Sequence, residues 1–173
     1  MRIICFILFL GVLTGKGIGQ VYVLQDHRPQ IDEVDYYDSL QELSDSVYHR
    51  FINEDIAGIE MITPDTNALR YSLDSTYQEY ATSDLLTRRA QIKIRLNKSL
   101  RQQYKSYRKN KVILGQFKKD KLTYKFGITP QGNEFCYVTI RCSRKKRKLN
   151  ITFLALKIQG HWFLGDELRS SLE

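Results

Sequence analysis

The chain is poor in the residues from which common catalytic and metal sites are built. Its three histidines, His27, His49 and His161, are scattered with no HxH or HExxH spacing, so no metal site is expected. No serine sits in a GxSxG elbow and no glycine-rich loop is present to cradle a phosphate. Catalytic residues and cofactors are therefore both expected to be none. Cysteine is scarce as well: Cys5 lies in an N-terminal apolar run, and Cys136 and Cys142 stand six positions apart in a segment that reads as one strand. At about 3.3 Å per residue their Cα atoms lie roughly 20 Å apart, beyond the about 7 Å that a disulfide spans. Both are expected as buried, reduced thiols, although the cations after Cys142 would lower its pKa were it exposed. No internal repeat, low-complexity tract or linker divides the chain.

The longest apolar run covers only residues 3–13, too short for the roughly 20 residues that a spanning helix needs. Met1 and Arg2 precede it, and Gly15, Gly17 and Gly19 follow it as small residues suited to cleavage. Residues 1–19 are thus expected to be a signal peptide cut after Gly19, with the protein exported to a periplasmic or extracellular location. Residues 20–37 read as an extended lead-in, and residues 38–173 as a single domain.

Charge of one sign is scarce in each half. Residues 20–80 hold three arginines against thirteen Asp or Glu, whereas residues 81–173 hold twenty-two Lys or Arg against six acids. Within one domain the halves can answer each other, leaving the cluster Arg144, Lys145, Lys146, Arg147 and Lys148 as the excess. Five adjacent cations cannot be buried and repel one another unless an anion is near. They define a candidate anion-binding tip for a lipid head group, an extracellular polyanion or an acidic partner. Their plain structural role is to guard neighbouring strands against edge association. Export makes nucleic acid an unexpected partner.

Helical patterns fill the first half. Ser39 with Glu42 fits a capping box, and Leu40, Leu43, Val47, Phe51 and Ile52 recur on one stripe. Residues 53–55 break it, and a short second helix follows with Ile56, Ile59 and Ile62 inward, stopped at Thr63-Pro64. A helix near 66–73 and a loop through Ser75 come next. Ser83-Asp84 opens a long helix to about Lys109 with Leu85, Leu86, Ala90, Ile92, Leu96, Leu100, Tyr104 and Tyr107 inward and Arg88, Arg89 and Lys93 among the outward cations. The alternation of Ala90, Ile92, Ile94 and Leu96 competes as a strand, but it fails beyond Leu96 while four-residue spacing continues to Tyr104.

Strand patterns fill the second half. Residues 112–117 and 121–126 read as strands separated by a turn at 118–120, and residues 127–133 as a turn cluster. Residues 135–142 and 149–158 follow, joined by a cationic turn at 143–148, then a tight turn at Gln159-Gly160 and a short strand at 161–164. Short connections make these an antiparallel meander. The 149–158 strand is apolar on both faces, which predicts helices on one side and a partner subunit or the lead-in on part of the other.

Helices first and a meander last, ending in an apolar strand 155–158, Gly160, Trp162, Phe163, Leu164 and Asp166, resembles the NTF2-like or cystatin-like α+β domains over residues 38–168. The stretch 47–62, with Asp55 between two apolar segments, is similar to their early helices. The resemblance implies a fold class of α+β with N-terminal helices on a curved, cone-shaped antiparallel sheet and a pocket at its open end, with Tyr104, Tyr124, Tyr137 and Trp162 as lining. Isomerase-type members use an Asp base with a Tyr or acid donor, and no such pair matches here residue by residue. The expected function is a non-enzymatic exported binding or interaction domain. It would take a small ligand or protein partner through the sheet face or pocket, and polyanions through the 144–148 tip. The competing readings are a small pocket enzyme of isomerase or hydrolase type and a homodimer formed through the sheet.

Overall fold

The computed structural model describes residues 35–72, 82–130 and 132–173. The expected signal peptide, most of the expected lead-in, the end of the helix expected near 66–73 and the expected loop through Ser75 lie outside the described residues. The rest is α+β as expected, with helices packed against an open four-stranded antiparallel sheet.

Helix α1 (Leu40–Ile52) starts where the capping box places it: the Ser39 hydroxyl accepts from the Glu42 N–H at 3.2 Å, and the Glu42 carboxylate accepts from the Ser39 N–H. Leu43, Val47 and Phe51 are fully buried along its stripe. It ends with Glu54 in a left-handed conformation (φ 56°), and the Asp55 N–H returns to the Arg50 carbonyl. Asp55 then caps α2 (Ile56–Met61) by accepting from the Gly58 N–H at 2.9 Å, and Asp65 likewise receives the Ala68 N–H in α3 (Thr66–Ser72).

The long segment is helix α4 (Thr82–Lys109), not a strand. Its buried line runs through Leu85, Arg89, Leu96, Leu100, Tyr104 and Tyr107, while Ile94 is 65 % exposed. Two expectations are corrected by this. Leu86 and Ala90 lie outside the stripe, and Arg89 lies in it at 6 % exposure, because positions 85, 89 and 92 share a face at 3.6 residues per turn. Beyond Asn110, Lys111 adopts φ 53° and the Val112 N–H bonds back to the Tyr107 carbonyl, a Schellman closure built on a lysine.

Residues 112–117 are not a strand. They form a connection with a 3-10 turn at Leu114–Gln116, in which Leu114 and Phe117 are buried at a three-residue spacing that alternation does not produce. The Tyr48 hydroxyl donates to the Phe117 carbonyl at 2.8 Å and ties this connection to α1. Strand β1 (Lys118–Ile128) then begins earlier than expected, running through the supposed turn at 118–120 with an irregularity between Lys119 and Lys121. Strands β2 (Glu134–Arg144), β3 (Arg147–Ile158) and β4 (His161–Leu172) complete the order β1-β2-β3-β4.

Two further boundaries differ from expectation. The cationic turn is only Lys145-Lys146, since Arg144 and Arg147 pair across the strands. Strand β4 runs to Leu172, not Leu164, because its polar second half pairs with residues 149–153 of β3. Gln159 (φ 52°) and Gly160 (φ 87°) make the two-residue β3–β4 turn, in which both central residues need positive φ.

Cys136, Val138, Ile140 and Cys142 of β2, Leu149, Ile151, Phe153 and Ala155 of β3, and Trp162, Leu164 and Leu168 of β4 form the inner face against α1 and α4. On the opposite face Leu156, Ile158 and Phe163 meet Ala68 of α3 in a smaller cluster. A helix of the same chain thus covers one end of that face. The lead-in reaches the sheet at Tyr37, which exchanges backbone hydrogen bonds with Trp162.

Candidate functional site

The β2–β3 hairpin gathers its cations at one end of the sheet. Arg144 and Arg147 face each other across the ladder, and the two-residue turn projects Lys145 and Lys146. Lys145 takes φ 53°, a backbone region that side chains disfavour by about 1–2 kcal/mol. The Schellman end of α4 brings up Lys111 beside them, and these five residues line a cleft of about 560 Å³. Lys148 is not among its lining residues. Strand alternation turns its side chain to the other face of the sheet, while its backbone pairs with Glu173.

Among the described residues none of the five lining cations has an ion-pair partner, whereas cations elsewhere do. Arg50 meets Asp35 at 2.6 Å, Arg95 meets Asp166 at 3.1 Å, Lys157 meets Glu134 at 2.7 Å, and Lys119 and Arg108 contact Asp45 and Glu54. Carboxylates from both halves of the chain thus answer cations on the helices and strands, and the hairpin end has no such pair among the described residues. Sequence reasoning found four members of this cleft and missed Lys111. The signal for it was the absence of glycine after the helix C-cap, where Lys111 occupies a position that favours glycine.

The four aromatic residues expected to line one pocket stand at four places. Tyr104 is buried between helices, its ring 5.3 Å from that of Phe51, and lines a groove of about 480 Å³ with Glu54, Ile56, Arg101, Lys105 and Arg108. Burial, and to a lesser degree the nearby Glu54 and Asp55 carboxylates, pushes its pKa up, so the hydroxyl stays protonated. Tyr124 is on the inner face of β1, 3.4 Å from the Gln41 side chain. Tyr137 is on the opposite face of β2 beside Phe135. Trp162 is buried where Tyr37 joins β4, with the Lys157 ammonium 5.7 Å from its ring centre. The space between helices and sheet is filled by Phe51, Phe117, Phe153, Leu43, Leu96 and Leu100.

The remaining candidates resolve in geometry. Cys136 and Cys142 are buried free thiols. Burial raises both pKa values, that of Cys142 from 9.0 to about 11, and outweighs the lowering by Lys119. The cations that follow Cys142 in sequence do not activate it. The His161 Nδ1 lies 2.8 Å from the Asp38 carboxylate and its ring 4.4 Å from that of Tyr36. It ties the β3–β4 turn to the start of α1. Among the described residues no group of His, Cys, Asp and Glu is placed to hold a metal ion, and no helix is long and apolar enough to cross a membrane.

No known protein family, curated protein or solved structure matches the chain.

Proposed function

We propose that the protein is a non-enzymatic, exported binding domain that engages a polyanionic partner through the cleft formed by Lys111, Arg144, Lys145, Lys146 and Arg147. The carrying observation is that these five cations converge on one concavity with no carboxylate among the described residues to neutralise them. Two of them, Lys111 and Lys145, occupy left-handed positions where glycine would be less strained. A chain selected only for stability gains nothing from lysine there, so the charge supports a role in binding. The filled interior supports a site on the exterior over a reaction chamber. The NTF2-like relationship belongs to the same proposal and rests on the order of elements, helices first and an open meander last. Export rests on the apolar segment 3–13 and the small residues after it.

The test replaces Arg144, Lys145, Lys146 and Arg147 with Gln and measures retention on heparin and on vesicles rich in phosphatidylglycerol at low salt. Each lysine or arginine near an anionic surface contributes about 1 kcal/mol, so retention falls at least about tenfold for whichever source is recognised. Unchanged retention on both would remove the site. Export predicts Gln20 as the first residue of the mature protein, read by N-terminal sequencing.

A further inference from the structure

The sheet has two edges, and the fold treats them differently. Along β4 the free side is met repeatedly: Tyr37 exchanges backbone hydrogen bonds with Trp162, the Leu164 N–H donates to the Ile62 carbonyl at 2.9 Å, and the Leu168 carbonyl accepts from the Gln103 amide at 3.1 Å. Along β1 no backbone partner meets the free side among the described residues. An unpaired edge is a template for another strand, and proteins blunt it with charge and with bulges. Both devices are present at the start of β1, where Lys118 and Lys119 precede the irregularity between Lys119 and Lys121 and Lys119 pairs with Asp45.

Beyond Lys121 the ladder has no further irregularity, and Lys125 is the one charged residue between 122 and 128. Tyr124, Phe126 and Ile128 follow on the inner face, 37 %, 65 % and 71 % exposed, with the Tyr124 and Phe126 rings 6.3 Å apart. Lys121, Thr123 and Lys125 alternate with them on the opposite face, all exposed. Among the described residues neither Lys121 nor Lys125 has an ion-pair partner. The edge thus presents an apolar row on one face and a cationic row on the other, in the register of a single strand.

We propose that β1 is a docking edge for an extended segment of a partner protein whose residues alternate acidic and apolar, adding a fifth strand to the sheet. Backbone pairing with 122–128 would supply the hydrogen bonds. Apolar side chains of the segment would cover Phe126 and Ile128, and its carboxylates would lie along Lys121 and Lys125. Charge decides against a second copy of this chain in that place, because its β1 would add another lysine row to the same face. The proposal is independent of the cationic cleft, which lies at the other end of the strands.

The experiment uses the protein and a fluorescent octapeptide alternating Glu and Val, followed by anisotropy at physiological salt. Two control peptides keep the composition: one places acids and valines in separate blocks, and one carries N-methyl groups on alternate amides. The alternating peptide is expected to bind, with the block and N-methyl forms at least about tenfold weaker. Phe126→Lys with Ile128→Lys weakens binding at least about tenfold. Lys121→Glu with Lys125→Glu shifts the preference to a Lys-Val alternating peptide. All four positions are exposed, and far-UV circular dichroism verifies the fold of each variant. Equal affinity for the control peptides would reduce the effect to charge attraction and overturn the proposal. So would a dimer in light scattering that Phe126→Lys dissolves, since a second copy would then hold the edge. Gln replacements at 144–147 leave peptide affinity unchanged, so failure at either site is read separately.

Discussion

The Phe135 ring lies so close over Gly127 on the neighbouring strand that a Cβ built at Gly127 would stand 2.3 Å from the ring Cζ. The pair shows what the exposed end of β1 requires. A glycine leaves backbone open to solvent, and an aromatic side chain from the next strand covers it. Gly127→Ala is expected to cost about 1 kcal/mol in urea unfolding, since the ring must swing away. In a Phe135→Ala background the same change should be neutral or stabilising, because alanine suits a strand better than glycine. Additive effects in this double-mutant cycle would mean that the ring does not set the cost.

Tyr48 anchors the connection before the sheet by donating to the Phe117 carbonyl at 2.8 Å. Tyr48→Phe keeps the ring and deletes the donor, leaving the buried carbonyl without a partner. A loss of about 1–2 kcal/mol is expected in chemical denaturation. A loss under a few tenths would show that another group satisfies that carbonyl.

The Gln103 side chain joins α4 to β4, donating to Ser99 Oγ at 3.0 Å and to the Leu168 carbonyl while accepting from the Ser170 hydroxyl. Gln103→Ala should cost about 1–2 kcal/mol and speed amide exchange in the second half of β4. Exchange confined to β1 would contradict this account of how the edge is held.

Alkaline pH should destabilise the protein through its buried thiols. Burial raises the Cys142 pKa from 9.0 to about 11, and Cys136, Tyr104 and Tyr107 shift in the same direction. A raised folded pKa means that the folded state holds the proton more tightly. The contribution is therefore full below pH 9 and fades as pH climbs towards 11, on the order of 2 kcal/mol for Cys142. The Cys142→Ser variant is unsuitable as a control because it buries a hydroxyl, whereas Cys142→Ala should flatten the loss between pH 9 and 11. Thiol reagents at neutral pH should label neither cysteine until denaturant is added.

Lysines in left-handed conformations separate stability from binding. Lys111→Gly and Lys145→Gly should each stabilise the fold by up to about 1 kcal/mol by relieving φ 53°. Each should also elute earlier from heparin. A variant with unchanged elution would take that lysine out of the cleft's function.

The helices were legible wherever local chemistry is complete within a few residues. The capping box at Ser39 and Glu42 and the stripe of Leu43, Val47 and Phe51 each need only neighbours along the chain. The misread segments are those whose conformation depends on distant partners. Residues 112–117 carry strand-forming side chains, yet the Tyr48 hydroxyl and the burial of Leu114 and Phe117 hold them as a turn. Residues 118–120 carry no apolar alternation, but pairing of Lys118 and Lys119 with Ser143 and Cys142 draws them into β1. Of the candidate cleft, the run 144–148 was visible as composition. Its separation into four lining residues, with Lys148 turned away and Lys111 brought in, was not.

The amino-acid order by itself determined the class, helices followed by an antiparallel meander, because periodicity, caps and two-residue turns act through contacts close in sequence. Which cations share a cleft, which aromatic residues point apart and which edge of the sheet stays open were decided by the tertiary structure alone. Those outcomes depend on where α4 lies along β4 and where β1 begins. The placement of α4 and the start of β1 are held by side chains that reach backbone carbonyls across gaps of more than sixty residues, as Gln103 does to Leu168 and Tyr48 to Phe117.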